Sequence, residues 1–235
     1  MAAYNGAQHI GEQLGSILSE LGSDDEVIIV DDCSSDSTAQ IIALISDPRI
    51  RYFRNSRNQG YVKSFERALK LSRGEYVMLS DQDDVWIHGR VNLLIGALAE
   101  AKLAVGNCAH FGGEPGFFQR LRLKSQQSNH HLRNIIGIVV GYRLHWGSAM
   151  AIRRDFLSMV LPFPTGMTES HDQWLALMAN IDGSVQYLNQ DTVRHRLHAV
   201  NVTPRGMRNI WKILRARFQF AINITVAYRR IMMSN

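Results

Sequence analysis

The chain has only two cysteines, Cys33 and Cys108, in 235 residues. That excludes a disulfide framework and predicts a reducing, cytoplasmic setting, with both thiols inert. It lacks an uninterrupted apolar run of the ~18 residues that a membrane span needs. The opening MAAYNGAQHI has neither the basic start nor the apolar stretch of a secretory leader. There is no internal repeat and no low-complexity linker. What the end of the chain lacks is negative charge. From Arg205 onward it carries seven basic residues (Arg205, Arg208, Lys212, Arg215, Arg217, Arg229 and Arg230) and no Asp or Glu. The remaining Lys and Arg are fewer than the 21 acids, so a near-neutral body bears a basic tail. This distribution argues against a nucleic-acid binder and for a local anionic contact at the C-terminus.

Hydrophobic content of 46% and charged content of 20% describe an ordinary globular protein with a sizeable core. Leu14, Ile17, Leu18 and Leu21 recur at helical spacing, and VIIV at 27–30 reads as a strand buried on both faces. A second helix carries Ile41, Ile42 and Ile45, IRYF at 50–53 is a short strand, and a third helix runs to Gly74. EYVMLS is another buried strand, followed by the helix RVNLLIGALAEA. Alternation at this pace implies parallel pairing, right-handed crossovers and a doubly wound sheet, which binds ligands at the carboxyl ends of its strands. Both acid clusters, Asp31-Asp32 and Asp81 to Asp84, fall at such ends. The sheet should open with a strand, yet only MAAYNG precedes the first helix, so the first strand is expected to be a stub or to begin upstream of Met1. Residues 106–134 read as a loop, SAMAI as a strand, HDQWLALMANIDG as a helix with Trp174, Leu175 and Met178 inward, and SVQYLNQDTV as a strand.

MLSDQDDVWI poses the sharpest question. Three carboxylates in four positions leave the core together, although capping the next helix needs only one, and crowding them raises the cost of ionising each. The ordered set AAYNG, VIIVDDCSSDST, NxGxxxSFERAL, GEYVMLSDQDDVW, GSAMAIRR and HDQWLAL resembles family 2 glycosyltransferases over roughly residues 1–204, and the SDQDDVW and HDQW wording is similar to the rhamnosyltransferase-like bacterial branch. The resemblance implies a GT-A α/β fold and an inverting, nucleotide-sugar-dependent enzyme of polysaccharide assembly.

It also implies roles. The family's metal-binding Asp-x-Asp maps onto Asp81 and Asp83, with Asp83 the direct ligand of Mg²⁺ or Mn²⁺ and Asp81 on the ribose or the metal's outer sphere. Hard cations prefer such oxygen donors and neutralise a departing diphosphate. Asp84 is then left to cap a turn. Asp32 would read the uracil or thymine imide, and Tyr4 would lie against the base. Asn58, Gly60 and Lys63 belong to the segment that approaches the nucleotide, with Ser64 standing where the family often has Asn. Asp172 is the expected general base, with Glu169 its rival; a single displacement needs one group to take the acceptor's proton. Arg196 would pair with phosphate oxygens and His198 would ligate the metal; His195 is unassigned. Trp146, Gly147, Ser148 and His171 form the expected acceptor platform. Each position also has a plainer reading as a cap, a core side chain or a solvated charge.

The whole reads as a GT-A domain at 1–204 with a basic amphipathic helical tail at 205–235, suited to an anionic membrane surface. The expected reaction moves a sugar from a UDP- or dTDP-sugar to a saccharide acceptor, lipid-linked in one version, at the inner membrane face. A degenerate or truncated domain that only binds is the first alternative. Nucleotidyl transfer is the second, disfavoured because AAYNGAQHI lacks a Gly-rich loop bearing Lys or Arg.

Overall fold

The structure, a computed structural model, describes residues 1–116, 118–197 and 210–234, the side chains at 118, 210–216 and 234 excepted. His198, Arg205 and Arg208 lie outside the described residues.

The first half follows the sequence pattern. Strand β1 (Ala2–Ala3) runs parallel to β2 (Val27–Asp31), and β2 parallel to β3 (Ile50–Arg54). Helix α1 (Ile10–Leu18) buries Ile10, Leu14 and Ile17, and α2 (Thr38–Leu44) follows the second strand. Helix α3 (Tyr61–Leu71) starts at Gly60, whose φ of +88° is a conformation that favours glycine. The expected stub is a two-residue strand, with the Met1 amine donating to the Ile28 carbonyl at 2.8 Å.

A second sheet has the order β4 (Tyr76–Met78), β7 (Met150–Arg153), β6 (Leu103–Phe111), β8 (Val185–Arg196), β5 (Val85–Trp86). The parallel pairing expected from βαβ alternation holds for β1–β2, β2–β3 and β6–β8; the pairs β4–β7, β6–β7 and β5–β8 are antiparallel. The reading of residues 106–134 as a loop is corrected at its start. Residues through Phe111 belong to β6, which pairs with β8 through Arg196 across two register shifts. Gly106 makes this possible, since a Cβ there would collide with the Thr192 side chain.

Helix α4 (Arg90–Leu98) packs on the second sheet, and α6 (Arg154–Val160) follows β7. Helix α7 (His171–Ile181) is the centre of the core: Trp174 through Ala179 are all buried, and the Trp174 indole N–H donates to the Val160 carbonyl at 3.0 Å. Helix α5 (His131–Val140) and helix α8 (Ile210–Ser234) pack against α7. Phe220, Ala227 and Ile231 of α8 join the main core. Arg230 donates to the carbonyls of Val160 and Pro162 at 3.1 and 2.8 Å and lies over the Trp174 ring. No helix among the described residues is long and apolar enough to cross a membrane. A cavity of about 630 Å³ is lined by Val27, Ile28, Phe65, Val77 and Leu79 and reaches Ser80, where the acid loop begins.

Candidate active site

The acid loop leaves β4 and turns at Ser80, whose hydroxyl accepts from Gln13 Nε2 at 2.6 Å and donates to the Asp81 carbonyl at 3.0 Å. Asp84 is fully buried. Its Oδ1 accepts from the Arg196 backbone N–H at 3.1 Å and lies 2.9 Å from His195 Nδ1. Asp84 thus ties the loop to β8, a role beyond the expected turn cap. Burial lowers the His195 pKa, but the hydrogen bond and charge of Asp84, with Asp81 and Asp83 behind it, outweigh burial and raise it. Asp81 carries the stress of the cluster: burial first, then the charges of Asp84 and Asp83, push its pKa far up.

Arg196 is turned into the protein. Its Nε donates to the Asp83 carbonyl at 3.0 Å, its Nη2 pairs with Glu12 at 2.5 Å, and the guanidinium covers the Phe111 ring at 4.4 Å. It braces the loop that carries Asp83. The Trp146 ring lies 4.8 Å from the His195 ring, so the expected acceptor platform touches the side chain that holds Asp84.

The pair Asp31-Asp32 divides its work. Asp31 organises the loop after β2, accepting from Ser34 N–H at 2.9 Å, Ser34 Oγ at 2.5 Å and Tyr52 Oη at 2.6 Å. Asp32 accepts from Asn55 Nδ2 at 2.7 Å and from the backbone N–H groups of Gln59 and Gly60 at 2.9 and 2.7 Å. Asn58 Oδ1 accepts from the same Gly60 N–H at 3.1 Å. The structure therefore brings Asp32, Asn58 and Gly60 into one turn. Lys63 is not brought to that turn's carboxylate; its ammonium is engaged by Glu66 at 2.7 Å. Tyr4 is half exposed, and its backbone is bracketed by the Gln82 side-chain amide.

Asp172 stands in the first turn of α7, entered through Ser170 at a φ of +64°. That kink is held by Tyr61 Oη, which accepts from the Ser170 N–H at 3.2 Å. Asp172 Oδ1 accepts from the Gln173 N–H at 2.8 Å, and the nearby Gly147 backbone favours the ionised carboxylate. Burial nonetheless pushes the Asp172 pKa up to about 6. Gly147 and its neighbour Trp146 connect Asp172 to the acid loop, since the Trp146 ring lies 4.8 Å from the His195 ring and His195 Nδ1 lies 2.9 Å from Asp84. Gly147 lies against His171 and Asp172: a Cβ there would stand 3.2 Å from His171 Nε2 and 3.6 Å from Asp172 Cβ. Ser148 is buried, and its carbonyl accepts from buried Arg90 at 3.0 Å. His171 is buried too, stacked on Phe65 at 4.3 Å and edge-on to Tyr61, and burial pulls its pKa down to about 3. It backs the platform as a neutral ring instead of facing outward.

Residues to which sequence reasoning gave no role here are Gln82, Tyr61, Glu12 and His195; each acts through a partner distant in the chain.

The glycosyl transferase family 2 pattern matches residues 1–160. The chain belongs to that family. Over 109 residues it is 36% identical to the succinoglycan biosynthesis protein ExoO of Rhizobium meliloti, covering 46% of this chain and 31% of that protein. It is 36% identical over 92 residues to an Escherichia coli glucosyltransferase, WfaP, whose name gives UDP-Glc and a diphosphoundecaprenol-linked GlcNAc (39% and 37% of the two chains). It is 37% identical over 105 residues to the dTDP-rhamnosyl transferase RfbG of Shigella flexneri (42% and 36%). The matches thus span about a third of these relatives. Among solved structures, S. aureus TarS 1-349 in complex with UDP superposes with a TM-score of 0.68 at 18% identity, over 98% of this chain and 68% of that one. That likeness establishes the GT-A fold.

Proposed function

We propose that the chain transfers a sugar from a UDP- or dTDP-sugar to a saccharide acceptor, lipid-linked in the cell, with inversion at the anomeric carbon. The observation that carries this reading is the run of contacts from Asp172 through Gly147 and Trp146 to His195 and Asp84 of the acid loop. Asp172 takes the acceptor hydroxyl's proton as that oxygen attacks C1, and the nucleoside diphosphate leaves toward Asp81 and Asp83. One base suffices for a single displacement. Family membership, the UDP held by TarS, and the donors named in WfaP and RfbG support the donor class.

The donor set fits Mg²⁺ or Mn²⁺. Carboxylate oxygens are the ligands these cations prefer, and a cation would relieve the charge crowding that raises the Asp81 pKa. Among the described residues no three His, Cys, Asp or Glu side chains form a ready cage, so Asp83, with Asp81 beside it, would share the metal with diphosphate oxygens. When bound, the metal neutralises charge on the leaving group. Tyr4 would present its exposed ring to the base, Asp32 and its turn would flank the nucleoside, and Trp146 with Gly147 would seat the acceptor.

Thermal-shift titration with UDP, dTDP, GDP and AMP, each with and without Mn²⁺, tests this. Stabilisation by a uridine or thymidine diphosphate only with metal is expected. Nucleotide binding with no turnover on any acceptor would favour the binding-module alternative, and no response to any nucleotide would overturn the reading.

A further inference from the structure

Helix α5 presents its apolar residues to solvent. Leu132, Ile136 and Val140 are 72%, 50% and 63% exposed, and Tyr142 just beyond is 40% exposed. Their spacing of four places the three helical residues in one stripe. The opposite face, Asn134, Gly137 and Ile138, is buried, with Asn134 bonded to Asn180 of α7 at 2.8 Å. This is therefore an outward face, fixed by the packing behind it. The charge offered by this segment is basic. Between Glu114 and Asp155 the chain contains no acid; Arg133 on the helix and Lys124 before it are exposed, while Arg120 and Arg122 pair with Glu114 and Asp191. Arg217 of α8 donates to the carbonyls of Ile138 and Val139, which sets exposed Phe218, the next residue along α8, beside the end of the same helix.

We propose that α5 docks the protein on the anionic surface of a lipid bilayer. An apolar stripe framed by basic side chains matches acyl chains beneath anionic headgroups. A second copy of the chain is the competing occupant, and the light-scattering arm of the test below reports it. The proposal deepens the functional reading above and rests on it only for its purpose. The chain leaves α5 at Gly141 and reaches the acceptor platform at Trp146 within a few residues, so a docked α5 would hold that platform close to a lipid-linked acceptor.

The test is sedimentation of the full chain with vesicles of phosphatidylcholine alone and of equal parts phosphatidylcholine and phosphatidylglycerol, with light scattering for oligomeric state. Binding to the anionic vesicles only, weakened by salt, is expected. The triple change L132S/I136S/V140S should lower partitioning at least ~10-fold, given the methylenes withdrawn from the bilayer. Arg133→Glu should lower it by about 5-fold or more, the effect of a basic charge near an anionic surface. Leu44→Ser, which removes an exposed leucine on α2, should change nothing. Asp172→Asn should bind vesicles like the wild type, so failure of docking and failure of the transferase reading are separable. Absence of binding to anionic vesicles, an unchanged triple variant, or a dimer that the triple variant dissolves would each overturn the proposal.

Discussion

The Gln82 side-chain amide brackets the Tyr4 backbone, accepting from its N–H at 2.7 Å and donating to its carbonyl at 3.0 Å. The bracket joins the end of β1, which carries the exposed Tyr4 ring, to the loop that carries Asp81 and Asp83. Gly6 leaves room for it; a Cβ there would overlap Gln82 Oε1. Replacing Gln82 with Ala removes two hydrogen bonds worth roughly 1 kcal/mol each. Both bonds hold the unbound fold, so the melting temperature should drop by about 4–8 °C, and nucleotide affinity should fall as the Tyr4 ring and the acid loop lose their link. Gly6→Ala should weaken affinity in the same direction by displacing the same side chain. Calorimetric titration with UDP or dTDP measures both.

A base whose pKa is pushed up to about 6 by burial gives the reaction a pH signature. Asp172 accepts a proton only when ionised, so kcat/KM, which reports the free enzyme, should rise with unit slope as pH increases to about 6 and level off above it. A limb that instead falls through pH 6 would assign the group to acid catalysis.

His171 titrates the fold. Its ring nitrogens have no hydrogen-bond partner among the described residues, and burial holds its pKa at about 3 against 6.5 when unfolded. Between those values the unfolded chain binds the extra proton, so this residue's contribution to stability is lost as pH falls from 6.5 toward 3. His171→Phe removes the linkage and keeps the stack on Phe65. Relative to the wild type it should gain ~1.4 kcal/mol per pH unit across that window, read from urea unfolding at several pH values.

Asp83 is the expected metal ligand. Asp83→Ala should weaken Mn²⁺-dependent nucleotide binding by at least the ~10–100-fold that even outer-sphere partners contribute. Binding without metal should change little. Equal loss with and without Mn²⁺ would reassign Asp83 to the nucleotide itself.

The sequence made the acid loop, the place of Asp172 at a helix start and the order of elements legible because each is local. Charge piled at a strand end, a β-branched run and a helix opening with Asp172 are patterns within a dozen residues. The pairing of β6 with β8 was hidden because β6 is buried on both faces at its start and carries Gly106 and Asn107, which read as loop. Arg196 looked like a phosphate ligand because its chemistry suits one; only the fold shows it held by the Asp83 carbonyl and Glu12, partners far away in the chain. Gln82 is invisible for the same reason, since its partner Tyr4 follows β1, 78 residues away.

The most direct test of the account is Asp172→Asn, assayed for transfer and for nucleotide affinity on the same preparation. The account predicts that kcat falls ~10²–10⁴-fold, the range for a lost general base, while UDP or dTDP binding with Mn²⁺ stays at the wild-type value. Full turnover in Asp172→Asn would contradict it.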